Sequence, residues 1–203
     1  MRTKYKPWAK PYLEAHPEVQ ISKECYKDIK DVDLEIGSGK GLFLVGMATK
    51  FPNRNFVGIE KNVTCSGFTA KKLVESELGN VKLIDDDAAN VISEINDKSI
   101  NNILLNFSDP WPKRRHFKRR LTSEKFLSAY HRILKDDGMI FFKTDNVDLF
   151  EYSLITFQEN NFIIIDVQRD YKGDDDFDHI TEYEMAFREE GTPINRVKLK
   201  KNG

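Results

Sequence analysis

Short runs of apolar residues alternate along the chain with longer segments in which apolar residues recur every three or four positions. The short runs predict buried strands, and the longer segments predict helices with one apolar face. Strands are predicted over residues 32–36, 55–59, 81–84, 103–107, 139–143 and 162–167, and helices over residues 42–50, 63–78, 123–134 and 149–159. This alternation indicates an α/β fold whose sheet is mostly parallel.

The remaining segments carry weaker patterns. Residues 182–187 are predicted to form a seventh strand. Residues 172–178 are expected to form an exposed acidic loop, and residues 197–203 a basic tail of little order. Because residues 1–30 precede the alternating pattern, we divide the chain into a basic N-terminal extension and a single domain over residues 31–203.

The composition is that of a globular protein that folds without disulfides or metal. Its 203 residues are enough for one domain with its own core, and 39% of them are hydrophobic and 32% charged. Cys25 and Cys65 have no His or Cys at metal-ligand spacing, so no metal site is expected. Since no secretory signal or membrane-spanning run is found, we expect a cytoplasmic protein that does not bind membranes.

A glycine-rich turn, Glu35-Ile36-Gly37-Ser38-Gly39-Lys40-Gly41, follows the first predicted strand. A phosphate-binding loop would need glycine in place of Leu34 and a hydroxyl residue in place of Gly41. A dinucleotide-binding loop would need a small residue in place of Leu42. The remaining interpretation is an acidic-x-Gly-x-Gly-x-Gly pattern, which resembles the cofactor loop of Rossmann-like methyltransferases that bind S-adenosylmethionine.

The chemistry of that cofactor explains the acidic residue, because S-adenosylmethionine carries an ammonium group and a sulfonium but no phosphate. Glu35 is the candidate partner of the ammonium group, while Gly37 and Gly39 allow the backbone to approach the ligand closely. Glu60 ends the second strand about 20 residues after the glycines, where a carboxylate can accept both ribose hydroxyls.

The third predicted strand is followed by Asp87 and Ala88, at the position where methyltransferases of this class hold the adenine. Asp85 and Asp86 are adjacent to this pair, so the choice among the three aspartates stays open.

The segment Asp109-Pro110-Trp111-Pro112-Lys113 should face the transferred methyl group, because ligands of open α/β sheets bind beyond the carboxyl ends of the central strands. The segment resembles the most specific signature of the bacterial tRNA (guanine-N7)-methyltransferases. Three other segments also match this family: Lys6-Pro7-Trp8-Ala9, Lys143-Thr144-Asp145-Asn146 and Thr181-Glu182-Tyr183-Glu184. Tyr183 stands where the family usually has phenylalanine.

The resemblance implies a Rossmann-like fold with a seven-stranded sheet whose last strand is antiparallel. It also implies S-adenosylmethionine-dependent methylation of N7 of a guanine in the variable loop of tRNA. Two sets of site residues are implied: Glu35, Glu60, Asp87 and Asp109 for the cofactor, and Lys113, Asp145 and Thr181 to Glu184 for the substrate.

The chemistry of guanine N7 requires no strong base, because this nitrogen has a lone pair and loses no proton when it is methylated. Alignment and electrostatics therefore supply most of the catalysis. Asp109 is the candidate catalytic residue, because its carboxylate can stabilise the positive charge that develops on the purine. Asp145 or Glu184 could accept hydrogen bonds from guanine N1–H and the exocyclic amine together.

A dense basic run begins directly after this segment, although the net charge of the chain is only −1. Its arginines and lysines can pair with phosphates, and its aromatic rings can stack on an unpaired base. The predicted tRNA-binding residues are Arg114, Arg115, His116, Phe117, Lys118, Arg119 and Arg120.

Two other functions fit parts of the pattern. A methyltransferase for a different acceptor is disfavoured by the Asp-Pro-Trp-Pro-Lys segment and the basic run. A non-catalytic RNA-binding module is disfavoured because acids occupy every expected position of the cofactor site. Whether the protein is a monomer or a homodimer is left open.

Overall fold

A single sheet of seven strands organises the chain in the computed structural model, which describes residues 3–202. The strands are β1 (Val32–Ile36), β2 (Asn55–Glu60), β3 (Val81–Asp85), β4 (Ile100–Asn106), β5 (Leu134–Thr144), β6 (Phe162–Gln168) and β7 (Asn195–Lys201). Their spatial order is β3-β2-β1-β4-β5-β7-β6. The pairs from β3 to β5 are parallel, and β7 is antiparallel to both of its neighbours. The predicted fold class is therefore confirmed.

Within residues 3–202, seven α-helices accompany the sheet. They are α1 (Ala9–Ala15), α2 (Leu42–Lys50), α3 (Val63–Ser76), α4 (Ala88–Glu94), α5 (Glu124–Ile133), α6 (Val147–Glu159) and α7 (Glu182–Glu189). Short 3₁₀ helices span Pro17–Val19, Lys23–Asp28 and Arg114–Arg119. Among residues 3–202, no helix is both long and apolar enough to cross a membrane.

The sheet separates two hydrophobic cores. One core contains side chains of α4, α5 and α6, and the other contains side chains of α1, α2 and α3. Leu83 and Ile84 are adjacent in β3 but belong to different cores, because successive side chains of a strand point to opposite faces. The central strand β1 is buried along its whole length, at Asp33 and Glu35 as well as at its apolar residues, as expected of a parallel strand covered on both faces.

The segment predicted as a seventh strand is instead helix α7. Tyr183 and Met185 alternate with Glu182 and Glu184, as in a strand, but both are exposed. The hydroxyl of Thr181 accepts a hydrogen bond from the backbone N–H of Glu184 at 2.9 Å, which caps the helix. The Thr-x-x-Glu spacing of a helix start therefore outweighs the alternation.

The basic tail predicted to have little order is strand β7, which lies between β5 and β6. Val197 and Leu199 are completely buried. The intervening lysines gave the segment the composition of a tail, whereas its apolar residues have the two-residue period of a strand. Gly203 lies outside the described residues.

The acidic loop over residues 172–178 is exposed as predicted over most of its length, except at its end. Asp178 is 8% exposed and is held by the buried ammonium of Lys143.

In the N-terminal extension, α1 packs directly on α3. A Cβ atom added to Gly67 would lie 2.6 Å from that of Ala9, so only glycine permits this approach.

Truncation tests the structural role of β7. A chain that ends after Ile194 lacks β7, so β5 and β6 both lose their pairing partner, and we expect no cooperative thermal unfolding by circular dichroism. A chain that ends after Lys201 keeps the strand and should unfold within about 3 °C of the full-length protein. Cooperative unfolding of the shorter chain near the full-length temperature would contradict this role.

Candidate active site

The glycine turn connects β1 to α2 with backbone conformations that favour glycine. Gly37 and Gly39 have φ values of 80° and 57°. A Cβ atom on either would meet no other atom within 4 Å. Glycine is thus required here by the backbone conformation and leaves open space above the turn for a ligand.

Glu35 lies near the end of β1 and is 2% exposed. One of its carboxylate oxygens, Oε1, accepts a hydrogen bond from the side chain of Asn106 at 3.0 Å, while Oε2 is buried without a partner among the described residues. Burial raises the pKa of Glu35 to about 8, against the opposing effect of the Asn106 hydrogen bond. A buried carboxylate oxygen without a partner is rare and indicates a cationic ligand.

Glu60, at the end of β2, reaches across to the glycine turn. Its Oε2 accepts a hydrogen bond from the N–H of Gly39 at 2.9 Å, and its Oε1 accepts one from the N–H of Asn62 at 2.8 Å. Burial raises the pKa of Glu60, although these backbone hydrogen bonds lower it in part. The two predicted cofactor acids therefore belong to one site.

Of the three adjacent aspartates, Asp85 ends β3, and Asp86 and Asp87 have different partners. Asp87 caps α4, since its side chain accepts the N–H of Ala89 at 3.0 Å, and Ala88 begins the helix. Asp86 accepts hydrogen bonds from Tyr26 at 3.4 Å and from Asn90 at 3.0 Å. Asp86 is thus engaged by protein side chains, whereas Asp87 stands at the start of the helix.

The loop after β4 contains Asp109, whose side chain is exposed. Phe107 and Trp111, on either side of it, have φ values of 51° and 43°, which are strained for residues with side chains. The N–H of Phe107 donates to the carbonyl of Lys143 at 2.9 Å, which ties the start of the loop to β5. Asp109 therefore lies on a loop whose backbone is strained at Phe107 and Trp111.

Helix α7 joins this loop to the cofactor turn. The first-turn residue Glu182 accepts a hydrogen bond from the N–H of Leu42 at 3.2 Å, at the start of α2. The ring of Tyr183 stacks on that of Phe107 with centroids 6.4 Å apart. Burial, followed by the nearby groups of Cys65, Glu60 and Asp109, raises the pKa of Tyr183, so this residue lies near both parts of the site.

Lys143 is a buried anchor of α7 that the sequence analysis did not identify. Its ammonium donates to both carboxylate oxygens of Asp178, at 2.8 and 2.9 Å, and to Glu184 at 2.8 Å. Arg188 pairs with the other oxygen of Glu184 at 2.6 Å. Burial alone would raise the pKa of Glu184, but Lys143 and Arg188 outweigh it and lower this pKa. The Lys-Thr-Asp segment was a signal, but only its aspartate was assigned a role.

The predicted substrate residues fall into two groups. Lys113 is exposed and Asp145 is half-buried, and burial raises the pKa of Asp145. Thr181 and Glu184 are buried and their polar atoms bind other parts of the chain. The surroundings of Thr181 and Glu184 therefore favour a role in holding α7 over direct contact with a substrate.

The basic run is also divided. Most of its cations are exposed, namely Arg114, Arg115, Lys118 and Arg119. Arg119 lies over the ring of Trp111 at 5.0 Å, and the ring of His116 meets the same indole edge-on at 5.7 Å. Phe117 is half-buried and Arg120 is buried. Part of the predicted RNA-binding run therefore contacts the loop that carries Asp109.

The fold and the paired acids around the glycine turn define a Rossmann-like methyltransferase that uses S-adenosylmethionine. The solved structure of an antibiotic-related methyltransferase is similar in fold, with a TM-score of 0.64 and 18% identity over 91% of this chain and 96% of that one. A family model described as "Putative methyltransferase" matches residues 30–197.

Two curated bacterial proteins are similar over nearly the whole chain. The tRNA (guanine-N(7)-)-methyltransferase of Staphylococcus haemolyticus is 42% identical over an alignment of 209 positions, gaps included, that covers 98% of each protein. The protein of the same name from Listeria monocytogenes is 43% identical over 211 residues, again 98% of each. The chain belongs to the tRNA (guanine-N(7)-)-methyltransferase family.

Replacing the buried ammonium tests the anchor of α7. Lys143→Met leaves Asp178 buried without its cation and leaves Glu184 with Arg188 alone, so we expect the free energy of unfolding in urea to fall by about 3–5 kcal/mol. Lys71→Met breaks an exposed pair with Glu75 and should cost no more than about 0.5 kcal/mol.

A second variant separates charge from packing. Adding Asp178→Asn to Lys143→Met removes the carboxylate that has lost its cation, while Glu184 keeps its pair with Arg188, and should restore most of the lost stability. Equal stability of the Lys143→Met and Lys71→Met proteins would show that the buried ammonium does not stabilise the fold.

Proposed function

We propose that this chain transfers the methyl group of S-adenosylmethionine to N7 of a guanine in the variable loop of tRNA. The observation that carries the proposal is the position of Asp109. It lies on the loop after β4. Tyr183 lies near both Glu60 and Asp109, and Trp111 of the same loop contacts Arg119 of the basic run. One loop thus borders both a site for a cationic cofactor and a surface for a polyanion.

The residues of the glycine turn suit the cofactor, which supplies an activated methyl group on its sulfonium. The free Oε2 atom of Glu35 is available to accept from the ammonium group. The oxygens of Glu60 can accept ribose hydroxyls in addition to their backbone donors, because a carboxylate has about four acceptor positions. The open space above Gly37 and Gly39 allows the cofactor to lie against the backbone.

The adenine is assigned to Asp87 and Ala88 at the start of α4. Asp86 already accepts from Tyr26 and Asn90, which leaves Asp87 as the better candidate. Asp87 keeps acceptor capacity beyond its bond to the N–H of Ala89 and its exposed ion pair with Lys61 at 3.9 Å. These contacts support Asp87 over Asp86 as the adenine-binding residue.

Asp109 acts by charge and orientation, and it does not need to remove a proton. As the methyl group moves, positive charge develops on the purine, and an adjacent carboxylate stabilises it. Asp145 is the proposed acceptor for guanine N1–H and the exocyclic amine. Glu184 and Thr181 are given the supporting role of holding α7, because they are buried and already paired.

The tRNA surface is proposed to consist of the exposed cations Lys113, Arg114, Arg115, Lys118 and Arg119. Arginine and lysine side chains fix the backbone of RNA through its phosphates. The N7 edge of guanine is buried in the deep groove of A-form RNA, so the target must lie in a loop or an opened pair. A variable loop meets that requirement.

The N-terminal extension, residues 1–30, is proposed to complete the surface beside α3. The N–H of Lys6 donates to the hydroxyl of Thr64 at 3.0 Å, and the ring of Trp8 packs edge-on against Phe68 at 5.0 Å. These contacts hold basic residues of the extension next to the domain that begins at residue 31. The extension can therefore add phosphate contacts to those of the basic run.

Methylation of an unmodified tRNA transcript tests the proposed function. Purified protein and labelled S-adenosylmethionine should yield 7-methylguanosine after nuclease digestion. Asp109→Ala should reduce turnover by about 100- to 1,000-fold, because it removes the stabilising charge. Asp174→Ala removes an exposed acid from the loop after β6 and should leave turnover unchanged.

Two results would contradict the proposal. Normal turnover of Asp109→Ala would remove Asp109 from the reaction. Binding of tRNA without any transfer of label would instead favour a non-catalytic RNA-binding module.

The pH dependence of cofactor binding tests Glu35. Since the pKa of Glu35 is about 8 without ligand, the side chain is protonated at neutral pH and must lose that proton to pair with an ammonium group. Affinity for S-adenosylmethionine should therefore rise about tenfold from pH 6 to pH 7, as measured by calorimetry. Glu35→Gln should bind more weakly and show a flat profile. An equal pH dependence in both proteins would exclude Glu35 as the titrating group.

A further inference from the structure

Arg120 ends the basic run but is 3% exposed, in contrast to the exposed arginines before it. Its Nε donates a hydrogen bond to the carbonyl oxygen of Pro110 at 2.8 Å. Pro110 directly follows Asp109, the proposed catalytic residue. A buried guanidinium therefore holds the backbone of the loop one residue from the reacting centre.

The surroundings of Arg120 are aromatic. Its guanidinium lies 3.6 Å from the ring centroid of Phe117 and 4.3 Å from that of Tyr152 in α6. No carboxylate of the described residues forms an ion pair with it, and its Nη1 atom is buried without a partner there. Two aromatic faces thus take the place of a counter-ion and fix the plane of the guanidinium.

The loop needs such support because its own backbone is strained at Phe107 and Trp111. The hydrogen bond from Phe107 to Lys143 holds its start, and Arg120 holds its middle. Without the bond to Pro110, the loop can relax and move the carboxylate of Asp109. Displacement by about 1 Å is enough to reduce a methyl-transfer rate by about 100-fold.

We infer that Arg120 is a positioning residue that orients Asp109 through the carbonyl of Pro110, and that it makes no phosphate contact. This inference rests on the proposed function. It removes Arg120, and with it Phe117, from the tRNA-binding surface that the basic run predicts. Contact with a phosphate would require the guanidinium to leave both rings and break its bond to Pro110.

Steady-state kinetics distinguish positioning from RNA binding. Arg120→Met fills the space but has no donor, so kcat should fall about 10- to 100-fold while KM for tRNA stays within about twofold. Arg120→Lys keeps a cation and one donor and should recover part of kcat. As the matched surface variant, Arg115→Met should raise KM for tRNA and reduce the salt dependence of tRNA binding by about one unit of slope, whereas Arg120→Met should not change that slope.

Tryptophan fluorescence gives a readout that needs neither cofactor nor tRNA. The chain has two tryptophans, so in a Trp8→Phe background the emission comes from Trp111 in the loop. Because the loop relaxes, Arg120→Met should make Trp111 more accessible to acrylamide.

Tyr152→Leu is a second variant for the case in which Arg120→Met does not fold. It removes one ring from the guanidinium at a site outside the tRNA surface and should also lower kcat.

The outcomes separate this inference from the proposed function. If the unaltered protein forms no 7-methylguanosine, the proposed function fails. If it does, and Arg120→Met has an unchanged kcat, the positioning role is wrong. A raised KM and a smaller salt slope for Arg120→Met would show instead that Arg120 binds phosphate.

Discussion

The buried ammonium of Lys143 is the interaction on which the acceptor side of the site depends. Its side chain holds Asp178 and Glu184, and so fixes the loop before α7 and the helix itself. Its carbonyl oxygen accepts the N–H of Phe107 and so fixes the start of the Asp109 loop. One residue at the end of β5 thus sets the relative positions of two segments that are distant in the chain. Charges buried this deeply stabilise a fold only when all partners are present, which makes the arrangement specific as well as strong.

On the cofactor side, by contrast, a buried acid is left without a partner among residues 3–202 for one of its oxygens. Glu35 is buried with one oxygen unpaired, and burial raises its pKa and that of Glu60. Burial raises the pKa of Glu35, so the folded protein keeps this proton up to about pH 8, whereas the unfolded chain loses it at lower pH. The stability of the fold therefore falls as the pH rises toward 8. A cationic ligand reverses that cost. The buried charges of Lys143, Asp178 and Glu184 are therefore paired within the protein, whereas Glu35 on the cofactor side keeps an unpaired oxygen that a ligand can satisfy, as is typical of functional sites.

The accuracy of the sequence analysis follows the range of the interactions. Strands β1 to β6 and the glycine turn could be predicted because apolar periodicity and glycine conformation are local properties. Strand β7 was missed because its lysines suggested a solvated tail, and only its insertion between β5 and β6 explains the burial of Val197 and Leu199. Helix α7 was missed because the prediction followed the alternation of Tyr183 and Met185 with acids in place of the Thr-x-x-Glu cap. Lys143, which binds Glu184 from 41 residues earlier, could not be found from a local pattern.

The charge of the basic run alone could not show which of its residues are exposed and which hold the Asp109 loop. Arg120 follows the last residue of the 3₁₀ helix, and its guanidinium lies over the ring of Phe117. Charge alone does not distinguish this buried arginine from Arg114, which lies three positions before Phe117 and is exposed. The remaining cations face outward, with Arg119 also lying over Trp111. The same short segment thus contacts the loop that carries Asp109 through Arg119 and Arg120, and presents its other cations to solvent.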